Sequence, residues 1–180
     1  MALMSSDKSE ESEVPEVPEV SGDPIEIDRY AWPMVTLDPV ARMRALAAGL
    51  PNAAIDETVF DVAFERFWPY IEDLENSTPR YEGAVNGLRI LDRDGEQIRL
   101  EARTPIGLWV AFDCVLRSGW CIMRSGSGQI GMAAHPESPS QTRFIHFECS
   151  SLFGRLARPF FAWNIRNDFR RLRNLLPPNE

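Results

Sequence analysis

Lysine is almost missing from this chain of 180 residues: it occurs once, at Lys8, against 18 arginines, and histidine occurs twice. So unequal a choice of base fits the codon bias of a GC-rich bacterial genome and carries no functional weight. The three cysteines, Cys114, Cys121 and Cys149, are odd in number and set within apolar runs. That excludes a disulfide framework and reads as reduced core thiols. Apolar runs are short, the longest near 108–112 and 158–163, far below the about 18 residues a membrane span requires, so none is expected. No basic stretch followed by an apolar one opens the sequence, so a cytoplasmic location without a secretory signal is expected. Neither a G-x-S-x-G nucleophile elbow nor a Walker-type phosphate loop occurs.

Charge is present but unevenly placed. The net charge is −8, and residues 1–28 hold nine acids against Lys8, leaving 18 acids and 18 arginines in the rest. The body is therefore neutral, which excludes a globally basic nucleic-acid binder. Residues 5–24 are Ser, Asp, Glu, Pro and Val with few bulky apolar groups, a composition that cannot offset its own ordering entropy; residues 1–28 are expected to be a disordered acidic tail. Residues 29–52 form an accessory extension: an apolar strip from Tyr30 to Val35, then a helix opened by Asp38-Pro39 as N-cap and first residue and stopped at Gly49-Leu50-Pro51.

From Ala53 the pattern is strand, helices, a long series of strands, and a final helix. A first strand covers about 55–62. Phe64, Phe67, Trp68, Ile71 and Leu74 recur at helical spacing, with Pro69 expected to split them into two short helices ending near 76–79. Regular turn signals then separate strands of about 88–93, 97–104, 108–117, 120–125, 129–135 and 142–150, an antiparallel meander. Alternation sets Ile98, Leu100 and Ala102 against Arg99, Glu101 and Arg103. It likewise sets Ile145, Phe147 and Cys149 against Thr142, Phe144, His146 and Glu148, so the first row of each strand is expected to face inward and the second to meet water. Phe161, Ile165, Phe169, Leu172 and Leu176 mark a C-terminal helical stripe over 159–176. At about 1.5 Å per residue it spans roughly 27 Å, enough to cover a curved sheet.

Residues 53–176 resemble the helix-grip superfamily of START-like, Bet v 1-like and polyketide cyclase-like (SRPBCC) proteins. The segments carrying the resemblance are 62–68, the meander, and 152–156 leading into 164–172. It implies an α+β fold: a curved six- or seven-stranded antiparallel sheet wrapped around a long C-terminal helix, with two short helices after the first strand. It also implies an internal cavity for a lipid, quinone, isoprenoid or polyketide-like molecule. The expected lining is Ile98, Leu100, Val110, Phe112, Met132, Ile145, Phe147, Phe161, Ile165 and Phe169, with Asn164 and Asp168 one turn from Phe161 and Ile165 as polar candidates. A cyclase or dehydratase-like enzyme acting on such a ligand is the alternative, as is a partner-binding protein using the arginine-rich C-terminal helix. The same apolar residues would also make a solid core.

Other motifs have plainer explanations. Gly126 to Gly131 fits G-x-G-x-x-G, but no helix follows, so a hairpin turn is expected rather than a dinucleotide site. His146 and Cys149, three apart on a strand, fall on opposite faces, so no metal site is expected. His146 reads as a surface or edge contact. Asp92 and Asp94 belong to a turn, and Glu101 and Asp113 to a charged sheet face, so no catalytic residue and no cofactor is assigned. Six arginines lie between Arg155 and Arg173 without interleaved stacking aromatics, so specific nucleic-acid binding is not expected. A monomer or weak dimer with a small apolar ligand is the expectation.

Overall fold

The computed structural model describes residues 36–178 except 153; the acidic tail and the Tyr30 to Val35 strip lie outside the described residues. Helix α1 (Pro39–Ala48) starts as its sequence directs: Asp38 accepts a 2.8 Å hydrogen bond from the Ala41 N–H and proline takes the first turn. Strand β1 (Ala54–Phe60) leads to α2 (Phe64–Glu72) and α3 (Leu74–Tyr81). The break between these helices is at Asp73, not at Pro69. Pro69 removes one hydrogen bond from a nine-residue helix that packs Phe67, Trp68 and Ile71 into the core, while Asp73 ends that helix and caps the next by accepting from Asn76 N. Helix α3 also runs through Pro79 to Tyr81, beyond the expected end.

The meander follows as β2 (Gly87–Asp94), β3 (Gln97–Arg103), β4 (Trp109–Arg117), β5 (Trp120–Arg124), β6 (Gly128–Ser138) and β7 (Gln141–Ser150). A 3-10 turn (Gly154–Ala157) enters α4 (Arg158–Leu175). All seven strands join one curved antiparallel sheet in the order β1-β7-β6-β5-β4-β3-β2. Residues 126–131 are the β5–β6 hairpin and the start of β6, closed by Ser125 N–H to the Gly128 carbonyl at 2.9 Å. Among the described residues, no helix is long and apolar enough to cross a membrane.

At β6 and β7 the sheet is covered on both faces, and this corrects the expected sidedness of β7. Its inward row is Thr142, Phe144, His146 and Glu148, all buried and facing α4 with Ala54, Thr58 and Phe60 of β1. Ile145 and Phe147 belong to the outer row, where α1 buries them against Val40, Met43 and Ala47. They do not line the inner space, and His146 is not a surface contact. When a second helix covers the outer face, both rows are shielded from water and apolar character no longer identifies the inward one. Gly131 permits this covering, since a Cβ there would meet the Phe147 ring at 2.1 Å and Met43 Sδ at 2.7 Å.

Candidate functional site

Between β7 and α4 the interior has two chemically different halves. Around Phe144 it is aromatic: Phe60, Phe67, Phe144 and Phe169 have ring centroids 4.9–6.1 Å apart. Two and four residues further along the same strand face, His146 and Glu148 approach Asn164 and Asp168 of α4 and Glu82, the residue that closes α3. All five are buried. One ligand atom from each of Glu82, His146, Glu148 and Asp168 lies within 4.8 Å of the other three.

Asn164 joins the carboxylates. Its Nδ2 donates toward Glu82 Oε1 at 2.8 Å, Glu148 Oε1 at 2.9 Å and Asp168 Oδ2 at 3.2 Å. An amide nitrogen carries two hydrogens, so three acceptors exceed what it can serve. Asp168 Oδ1 also accepts from the Gly83 N–H at 2.9 Å. Gly83 lets the backbone close on the group: a Cβ there would fall 2.8 Å from Asn164 Oδ1 and 3.3 Å from an Arg171 guanidinium nitrogen. His146 Nε2 stands 3.9 Å from Glu148 Oε1, too far for a hydrogen bond, and has no partner.

Burial controls the electrostatics. It pushes the Asp168 carboxyl up to about 9, reinforced by the adjacent Glu82. It raises Glu148 well above the ordinary carboxylate range, again with Glu82 adding, while burial lowers His146. Arg171, beside Gly83, donates to the Tyr81 carbonyl at 3.5 Å.

Glu82 also borders a small, largely buried pocket of about 30 Å³ with Thr78, Tyr81, Val85, Leu88, Ala102, Phe112, Met123, Ile130 and Met132. The Thr78 hydroxyl is buried without a partner, and the Tyr81 hydroxyl donates to Met132 Sδ at 3.4 Å. Of the residues expected to line a cavity, Phe112 and Met132 border this pocket. Ile98, Leu100, Phe161, Ile165 and Phe169 belong to the surrounding inner core, and Val110, opposite Ala102, is half-buried. A larger depression of about 590 Å³, bordered by Arg99, Asp113 and Arg124, is open and lies mainly on the outer charged row.

The sequence placed Asn164 and Asp168 among the candidates and missed Glu82, His146 and Glu148. The available signals were two polar residues at i, i+2 continuing the face of a buried Phe144, and an i, i+4 polar pair inside a buried helical stripe. The residue beside His146 in the cluster is Glu148 on its own strand face, not Cys149. The arginines of α4 are largely spent on the domain itself: Arg166 pairs with Asp56 at 3.4 Å, and Arg173 donates to Thr58 Oγ1 at 2.8 Å and lies over the Phe60 ring.

No protein-family model matches the chain, and no curated protein matches it in sequence. Solved structures do. A START superfamily protein from Mycobacterium smegmatis superposes with a TM-score of 0.53 at 12% identity, over 69% of this chain and 96% of that one. Protein XoxI from Bacillus cereus gives 0.56 at 10% identity, over 69% and 94%. The ZhuI aromatase/cyclase from Streptomyces sp. R1128 gives 0.50 at 9% identity, over 69% and 90%. With seven strands gripping α4 and two short helices after β1, this chain has the helix-grip fold of START-like and polyketide cyclase-like proteins.

Proposed function

We propose that this protein binds a small, largely apolar molecule of lipid, quinone, isoprenoid or polyketide type between the sheet and its helices. The observation that carries this reading is the small pocket of about 30 Å³, whose wall is apolar apart from the unpartnered Thr78 hydroxyl, the Tyr81 hydroxyl and the Glu82 carboxyl. Such a wall suits a ligand with an apolar body and one hydrogen-bonding end. At about 30 Å³ the cavity admits roughly two waters, so a ligand must displace side chains. Met123 and Met132 are the residue type best able to move, being unbranched and adaptable.

Apolar side chains are also exposed at one end of the sheet. Ile106 and Leu108 on the β3–β4 hairpin, with Leu152, Leu156 and Phe160 around the start of α4, are exposed at the sheet end where β4 starts and β7 stops. In this reading Phe112 and Met132 touch the ligand, and Asn164 and Asp168 hold Glu82 behind its polar end. The protein would act as a monomer or weak dimer in a reducing compartment, with Cys114 and Cys121 remaining free thiols 3.8 Å apart.

Native mass spectrometry with solvent extraction of the purified protein tests the proposal. A co-purifying apolar molecule, or stabilisation by one member of a fatty acid, quinone and aromatic polyketide panel, is expected. Ala102→Val, which narrows the cavity, should weaken that binding at least tenfold with the circular dichroism spectrum unchanged. Absence of any such ligand, or unchanged affinity in Ala102→Val, would overturn it.

A further inference from the structure

We propose that Glu82, His146, Glu148 and Asp168 form a binding site for one divalent transition-metal ion, with Asn164 as a fifth contributor. Buried acids alone would not justify this, since carboxyl groups also cluster by sharing protons. The independent observation is His146 Nε2: a buried ring nitrogen with no hydrogen-bond partner, 3.9 Å from the cluster's Glu148 Oε1. An imidazole nitrogen left unpaired in the interior loses its water without replacement, and a metal ion replaces it.

The geometry is near what coordination requires. Ligand atoms about 2.0–2.2 Å from a common ion lie roughly 3–4.4 Å from one another, depending on angle. The four residues already offer atoms within 4.8 Å, so contraction by a few tenths of an ångström for trans ligands, and by up to about 1.4 Å for tetrahedral ones, brings them onto one ion. Their supports are independent and rigid: the end of α3, two same-face positions of β7, and α4. Asn164 Nδ2 stands at the point where the carboxylate oxygens converge. Rotation about the last side-chain bond brings Oδ1 to that point instead and turns the donor into a ligand.

The donor set also selects the ion. Three carboxylates with one imidazole suit Mn(II), Fe(II), Co(II) or Zn(II). An all-oxygen cage is the preference of calcium and magnesium, and no thiolate is present to favour copper(I). A dication would offset the charge of carboxylates that no arginine among the described residues bridges. This inference does not rest on the ligand reading, because metal uptake is measured without any organic ligand.

The test uses the full chain without a polyhistidine tag, dialysed against a chelator and then against buffer. Equilibrium dialysis with Mn(II), Co(II) and Zn(II), read by elemental analysis, should give one ion per chain for at least one of them. Co(II) should give visible d–d absorption characteristic of a bound ion. Glu148→Gln and His146→Gln, each checked for native circular dichroism, should weaken binding at least tenfold. Should either variant fail to fold, the Co(II) spectrum of the unaltered protein decides. No stoichiometric uptake of any of the three ions, or unchanged affinity in a folded variant, overturns the proposal.

Discussion

The aromatic and the carboxylate halves of the inner space both draw on β7 and α4, with Phe144 and Phe169 in one and His146, Glu148, Asn164 and Asp168 in the other, yet they stabilise the fold in opposite ways. At the aromatic half each ring gains by leaving water, and every neighbour adds to the gain. At the carboxylate half, leaving water is costly for each acid, and Asn164 with the Gly83 N–H returns only part of that cost. The first half explains why the chain folds; the second requires a purpose other than stability.

The largest expected effect separates them directly. Phe144→Ala, removing a ring that touches Phe60, Phe67 and Phe169, should cost about 3–5 kcal/mol in chemical denaturation. A loss below about 1 kcal/mol would show that the aromatic half is not the anchor.

The pH dependence of metal-free protein probes the other half. The Asp168 carboxyl is pushed up to about 9 in the fold and has an ordinary value near 3.9 when unfolded, so between these values the folded state holds more protons. Stability should therefore be greatest near pH 4 and fall as pH rises toward 9, by at most about 1.4 kcal/mol per pH unit for each proton involved. Asp168→Asn should flatten the slope. An identical slope in that variant would assign the proton to another group.

A smaller effect sharpens the boundary between the halves. Thr78→Val replaces a buried hydroxyl that has no partner by a methyl of equal shape. It should leave stability unchanged or raise it by about 1 kcal/mol. A clear loss in thermal or urea denaturation would mean that the hydroxyl is served by water and that the cavity is wet.

The order of elements was legible because each carries a local signal. Asp38-Pro39 starts α1, the turn residues separate the strands, and Phe161, Ile165 and Phe169 mark α4. The inward side of β7 was not legible, since Ile145 and Phe147 on one face and Phe144 on the other are all buried, for different partners. The carboxylate group was half legible. Asn164 and Asp168 share a helix face and His146 and Glu148 a strand face, but nothing local ties Glu82 to residues more than sixty positions away. Pro69 misled because a short helix held by its packed aromatics tolerates one missing hydrogen bond.

The notch at Gly131 makes α1 a shield for the back of the sheet. With no side chain there, Met43 settles onto the sheet beside Phe147, and α1 takes Ala133, Ile145 and Phe147 out of reach of solvent. A shortened version beginning at residue 53 would retain every strand and the gripping helix. It would also display that apolar strip on its back, where a second molecule could pair with it, so aggregation rather than unfolding is its expected failure.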